Sequence, residues 1–393
     1  MNRDSLLGQL SRQHQMMTEL LMSVSAQECY HCYHPELAPL AWYLALSSYL
    51  ETYWVREVGQ GNDEVTCRSR EIFFPESKDT SPCWHRLPPR DHLLNWAMEL
   101  QDGNLMRLAN PALLKRDSRM SGNQLLQIIL QEHARNYEYM LMVLVQRRLL
   151  MTSDYYVSTA AQPIMPKADT VEIPRGHYRI GSRDAVGARD NEAPAQQVEL
   201  SGFRIASTPV SNGNWLAFIE AGGYQQPDFW QLEGMPPKDG RAAHPNHWRQ
   251  DLRGNWYGIG LHGPYDLQGA DPVMGINRFE AEAYANWVSS QGGNLAGAIL
   301  QHEYQWEVAV RTGKISNYGL VREWCANVFR PYDGYQPPSR KEESTLEFDG
   351  HHFSLRGACL YTQPALKRVS FRTGGRPGAQ QLFSGARLVF PPV

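Results

Sequence analysis

The apolar positions of the first 150 or so residues recur at helical spacing. Leu6, Leu10, Met17, Leu20 and Leu21 predict a helix that ends near Ser25. The run Leu40 to Val58, LAWYLALSSYLETYWVREV, predicts a second. Asp91, as an N-cap, opens a third, HLLNWAMELQDGNLMRL, which Asn110-Pro111 breaks. The fourth runs from Leu125 to Met142, LLQIILQEHARNYEYMLM, with Leu125, Ile128, Ile129, Met140 and Leu144 near helical period and no Gly or Pro between them. Glu132, Asn136 and Tyr139 interrupt its apolar face. Positions four apart stack on a helix, so Glu132 and Asn136 point at one place. They read either as a satisfied polar pair in a core, hydrogen-bonded to each other, or as the remains of a ligand pair. Four helices joined by loops predict a bundle.

The pattern then changes. Ser153 to Asp169 holds Pro163 and Pro166 and few large apolar residues, which marks a linker. The expected division is a bundle over 1–152, a linker over 153–169 and a second domain over 170–393. In the second domain VEIPRGHYRIG alternates like a strand, with Gly176 in a turn. NGNWLAFIEAGG, NRFEAEAYANWVSS and EYQWEVAVRTG predict short helices, the last closed by Gly313. The rest is loop and short strand, and no period of repeat-protein length recurs. The fold class expected is α+β.

Composition narrows the function. A chain of 393 residues with 42% hydrophobic and 20% charged residues can fill two cores. A net charge of -3 shows no basic excess, which argues against nucleic acid as a partner. No apolar run of about 18 residues is present, so no membrane span is expected. The N-terminal MNRDSLLGQLSRQHQMM has no continuous apolar core of a signal peptide. Six Cys make no disulfide framework, so a reduced, cytoplasmic location is expected.

A series of motifs in the second half carries a family resemblance. Asp190-Asn191-Glu192-Ala193-Pro194, Pro209-Val210-Ser211-Asn212 and Phe218-Ile219-Glu220-Ala221-Gly222-Gly223-Tyr224 come first. Glu303-Tyr304-Gln305-Trp306-Glu307, Glu323-Trp324, Leu355-Arg356-Gly357 and Phe383-Ser384-Gly385-Ala386-Arg387-Leu388 follow in order. They resemble the formylglycine-generating-enzyme-like domain, a variant of the C-type lectin fold. The chain is most similar to the iron-dependent sulfoxide synthases of ergothioneine biosynthesis and to selenoneine synthase, which join that domain to a DinB-like four-helix bundle. Pro39-Leu40-Ala41-Trp42-Tyr43-Leu44-Ala45 and Glu51-Thr52-Tyr53-Trp54 resemble the bundle signatures. Acids beside large aromatics, Trp306-Glu307 and Glu323-Trp324, call for buried partners, for which Arg356, Arg372 and Arg387 are the candidates.

The resemblance implies Fe(II) held by three imidazoles. The matching positions here are Leu46, Glu132 and Asn136. Leu binds no metal and Asn is a poor Fe(II) ligand. The expectation is therefore a protein with no iron cofactor that binds a small molecule or a partner in the cleft between its domains. The alternative is an Fe(II)- and O2-dependent enzyme that forms a C–S or C–Se bond on a histidine betaine (hercynine) through displaced ligands, with His14, His85, His92 and His133 available. A third reading is a binding module that displays aromatic loops such as Tyr224–Trp230 and His244–Trp256.

The resemblance also implies substrate contacts. Gly374 and Gly375 stand where an aromatic ring and a carboxylate are expected to hold substrates. The family's proton-delivering tyrosine falls at Tyr332 or Tyr335, and Arg86 and Arg90 fall where basic residues meet a substrate carboxylate. Cys29-Tyr30-His31-Cys32-Tyr33-His34 has metal-like spacing without a second CxxC. Oligomeric state and ligand identity are not readable from the chain.

Overall fold

The computed structural model describes residues 2–74, 83–114, 123–151, 154–183, 187–230, 243–315, 317–338 and 347–392. Ser153, the first expected linker residue, and part of the loop before Pro89 lie outside them.

Among the described residues five α-helices form the N-terminal part: α1 (Arg3–Met22), α2 (Leu40–Thr52), the short α3 (Arg70–Phe73), α4 (Arg90–Ala109) and α5 (Gln124–Leu149). In α1 the buried stripe Leu6, Leu10, His14, Met17 and Leu21 follows the helical period, and Asn2 caps the N-terminus by accepting from the backbone of Asp4 and Ser5. In α2 every residue but Leu46 is buried, so this is the central helix, and it runs on as a π-helical turn over Tyr53–Val58. The buried Thr52 hydroxyl is satisfied along the helix and by α4: it donates to the Ser48 carbonyl (2.8 Å) and accepts from Asn104 (3.1 Å). The N-cap of α4 is Pro89, not Asp91, which lies in the first turn; Pro ahead of a helix supplies the extended backbone without a side-chain cap.

The remaining helices are α6 (Asn212–Glu220), α7 (Arg278–Ser290) and α8 (Glu303–Arg311). Gly313, at φ 67°, takes the left-handed position that ends α8. The strands are short: β1 (Thr170–Ile173), β2 (Gly176–Ile180), β3 (Gln196–Leu200), β4 (Phe203–Ala206), β5 (Trp248–Gln250), β6 (Trp256–Gly260), β7 (Gly263–Asp266), β8 (Ile299–Leu300), β9 (Arg322–Val328), β10 (Phe353–Arg356), β11 (Arg372–Gly375), β12 (Ser384–Ala386) and β13 (Leu388–Phe390). They make sheets of order β1-β4-β13-β8 and β11-β10-β9-β12, a β2-β3 hairpin and a β5-β6-β7 meander. The stretch read as one strand is two. Pro174 cannot donate to a ladder and separates them, and Gly176 starts β2, paired with Leu200, rather than forming a turn.

Loop-rich backbone is held here by buried ion pairs. Glu323 takes Arg387, Glu307 takes Arg356 and Glu303 takes Arg372, all at 2.5–2.8 Å, as the sequence pattern required. The aromatics of the two candidate display loops are drawn inward. Trp230 and Trp248 are buried, and Tyr224 donates to Glu280. The extended residues after α5 lie against the second half, where Tyr155 and the amides of Ser158 and Thr159 bond Asp266.

Candidate functional site

Three positions in the bundle correspond to the expected iron ligands, and their side chains are occupied. Leu46, half-buried, packs into the bundle core. Its neighbour Ser47 accepts a hydrogen bond from Asn136 Nδ2 at 2.9 Å. Glu132 accepts from Arg135 at 2.8 Å and from Arg189, in the second half of the chain, at 2.9 Å. Burial pushes the Glu132 carboxyl up, but the two guanidinium groups hold it below its ordinary value. The expected Glu132–Asn136 hydrogen bond is not made. Charge-assisted pairing with two guanidinium groups outcompetes a neutral amide for a buried carboxylate. A hydrocarbon, a doubly paired carboxylate and an engaged amide offer iron no nitrogen donor, so these residues do not fit a three-imidazole centre.

Successive helix residues are about 100° apart. Arg135, Glu138, Tyr139 and Met142 therefore share the α5 face that meets the second domain, while His133 points elsewhere. Between that face and β9–β11 lies a cavity of only about 40 Å³, lined by Arg135, Tyr139, Arg322, Thr373 and Gly374 among others. It has room for a water molecule or so, not for a substrate. A Cβ on Gly374 would stand 2.7 Å from the Phe329 ring and 3.0–3.1 Å from the Cβ atoms of His352 and Glu347; one on Gly375 would stand 2.7 Å from the Trp324 ring. Both glycines permit close packing here. Phe329, His352, Glu347 and Trp324 occupy the space where a side chain at either position would stand.

The other expected site residues are dispersed. Tyr332 is buried, with its ring 4.1 Å from the Arg372 guanidinium and its hydroxyl 3.5 Å from Glu307. Tyr335 donates to Asp190 at 2.7 Å and packs on Phe348, which touches Phe329 beside Gly374. Arg86 is exposed in a short turn, and Arg90 bonds the Val24 carbonyl and Asp91. Cys29 donates to Ala26 while Cys32 is exposed, and His34 accepts from the Glu36 amide, so the Cys-His run does not converge.

A different cluster does converge. His14 on α1, Glu51 on α2 and His133 on α5 are each buried, with Nε2 of His14 at 2.6 Å and Nε2 of His133 at 2.8 Å from Glu51 Oε2. The imidazole centroids are 5.0 Å apart. Burial raises the Glu51 carboxyl, but the two imidazoles bring it down to about 2; burial lowers His133. Oε1 of Glu51 and Nδ1 of His133 have no partner. Among the described residues no other trio of His, Cys, Asp or Glu donors comes together in this way. His85 and His92 are exposed and take no part. Sequence reasoning reached His14 and His133 as available ligands but missed Glu51. The signal was there: a carboxylate inside a helix otherwise free of charge demands a partner.

Two larger cavities open along the junction of bundle and second domain. One, of about 540 Å³, is bounded by Tyr137, Arg147 and Arg148 of α5 and by His262 and Tyr361 from the second half. The other, of about 320 Å³, includes Gln131 and Arg368. His14, Glu51 and His133 line none of the three cavities.

Comparison with known proteins gives matches over part of the chain. Residues 157–319 match the sulfatase-modifying factor enzyme 1-like domain. Hercynine oxygenase of Mycobacterium tuberculosis is 30% identical over 257 residues, covering 54% of this chain and 58% of that protein. Hercynine oxygenase of Mycolicibacterium smegmatis is 29% identical over 273 residues, 56% and 61% respectively. The chain thus spans under two thirds of the length of these relatives. The solved structure of PvdO from Pseudomonas aeruginosa overlays 60% of this chain and all of that one at TM-score 0.42 and 17% identity. Among the described residues no helix is long and apolar enough to cross a membrane. By sequence, then, this α+β chain is similar over about half its length to hercynine oxygenases, and residues 157–319 match a sulfatase-modifying factor enzyme 1-like domain.

Proposed function

We propose that this protein binds a small zwitterionic molecule between its two domains and does not perform three-imidazole iron chemistry. The observation that carries the second part is Glu132 held by Arg135 and Arg189 at a position where the family resemblance implies an imidazole. The cavity of about 540 Å³ is of ligand size. Arg148 offers positive charge and His262 a ring N–H to a carboxylate, and the rings of Tyr137 and Tyr361 offer faces to a quaternary ammonium. A betaine such as hercynine, which the relatives' name attaches to them, has both groups.

Fe(II)/O2 chemistry through displaced ligands is favoured by one observation, the His14–Glu51–His133 cluster. It is the weaker reading, because a substrate has no space beside these buried side chains in any of the three cavities.

Calorimetric titration with hercynine, ergothioneine and a small thiol tests the proposal. The expected result is saturable binding of a betaine, weakened several-fold by Arg148→Ala. Oxygen consumption by Fe(II)-loaded protein given hercynine and a thiol, or no binding of any of these ligands, overturns it.

A further inference from the structure

The bundle contains three donors aimed at one another from three separate helices. His14 and Glu51 are 37 residues apart in sequence, and Glu51 and His133 are 82 apart. We propose that His14 Nε2, His133 Nε2 and the Glu51 carboxylate form a structural site for one borderline divalent transition-metal ion, distinct from the family ligand positions and from the cleft.

The ligand chemistry is the first argument. Two imidazoles and a carboxylate suit Zn(II) or Fe(II) and are too poor in oxygen for Mg(II) or Ca(II). The second is the unpaired oxygen. In a hydrogen-bonded knot only Oε2 of Glu51 is used, and Oε1 stays buried without a partner. Leaving such an atom unpaired is costly. A metal taken by both carboxylate oxygens uses it and completes four-coordination with no added ligand. The third is fit. One donor atom from each of the three residues lies within 4.8 Å of the other two. Two ligands at ordinary metal distances stand roughly 3.4 Å apart in a tetrahedral site. The observed 2.6 and 2.8 Å then open by under an ångström, which side-chain rotation on fixed helices supplies.

The site is closed. His14 is 7% exposed, Glu51 1% and His133 0%, and no cavity described above reaches them. That geometry suits an ion that ties α1, α2 and α5 together. It does not depend on the ligand proposed for the cleft.

The test uses the full chain with any affinity tag removed and metal stripped by a chelator. Zn(II) is the probe, with Mg(II) as control, read by calorimetry and thermal melting. One equivalent of Zn(II) at sub-micromolar affinity, with a rise in Tm that Mg(II) does not give, is expected. Glu51→Gln keeps the size and one hydrogen bond, and should weaken binding at least 100-fold; His14→Gln serves if the first variant does not fold. Co(II) should give visible bands of a tetrahedral centre that both variants lose. Cys32→Ser, on the exposed Cys-His run, should leave binding unchanged. Absence of a Tm shift with Zn(II), or Zn(II) binding that persists in both triad variants, overturns the site.

Discussion

Glu138 on α5 and Arg322 on β9, 184 residues apart, form a two-pronged pair with both oxygen–nitrogen distances at 2.8 Å, and Thr362 donates a third bond to the carboxylate at 2.8 Å. The side chains are 5% and 7% exposed. This contact joins the bundle to the second domain where the family's chemistry is expected. Glu138→Ala leaves a buried guanidinium unpaired, and such losses run to about 3–5 kcal/mol. The expected outcome is a loss of that size in denaturant unfolding. The double change Glu138→Leu with Arg322→Met should recover a good part of it, because removing both charges removes the desolvation cost as well. A double variant no better than the single one would mean the charges are not the cause.

The space beside Gly374 yields a second prediction. A Cβ there meets the ring of Phe329 at 2.7 Å and two further side chains at 3.0–3.1 Å. Gly374→Ala should cost about 1–3 kcal/mol by overpacking. Phe329→Leu should offset part of that, since it removes the closest atom. Unfolding midpoints of the two single variants and the double check it, and additive losses would rule the contact out.

His247 gives a pH prediction. It is 1% exposed, neither ring nitrogen has a partner, and Gly275 lies so close that a Cβ on it would come within 2.9 Å of the ring. Burial, helped by Arg249, lowers its pKa from 6.5 to about 4. The unfolded chain then binds a proton that the folded one refuses, so stability falls as pH drops from 6.5 towards 4. At 1.36 kcal/mol per pKa unit the loss at pH 4 is about 3 kcal/mol. Glu280 works in the opposite sense. Burial raises its pKa from 4.5 to about 7, so its contribution is present below 4.5 and is lost as pH rises through 7. The two largely cancel between pH 5 and 7. His247→Leu should unmask Glu280: the variant gains more at pH 5 than at pH 8, and its stability declines as pH rises. Equal gains at both pH values would show that His247 does not carry the effect.

The helices were legible because their apolar positions keep a period that needs no distant partner. The short helices of the second half were legible for the same reason, and the buried Arg–Glu pairs because an acid beside Trp306 or Trp324 cannot stay unpaired. Glu138 and Arg322 were not readable as partners, since nothing local in either stretch points across 184 residues. The same limit hid Glu51. A lone carboxylate in α2 announces that it needs a partner, but only the packing of α1 and α5 against it names His14 and His133. The Glu132–Asn136 expectation failed for a related reason. Helical spacing places two residues on one face, yet it does not reveal that Arg189, from another part of the chain, reaches the carboxylate first.

The last prediction concerns the family ligand positions themselves. Asn136 is bonded to Ser47, beside Leu46, and Glu132 lies one helical turn from Asn136, so the three positions are neighbours in the bundle. The change Leu46→His, Glu132→His, Asn136→His should assemble three nitrogen donors there. It also frees Arg135 and Arg189 from the carboxylate that holds them, and two unpaired guanidinium groups repel a divalent ion. The triple variant is therefore expected to bind Zn(II) weakly. Adding Arg135→Gln and Arg189→Gln should bring the affinity to micromolar or tighter. The measurement belongs in a Glu51→Gln background, so that the His14–Glu51–His133 cluster does not contribute. Titration then reads the new site alone, and a quintuple change that binds no more Zn(II) than that background would show that Leu46, Glu132 and Asn136 do not share a metal position.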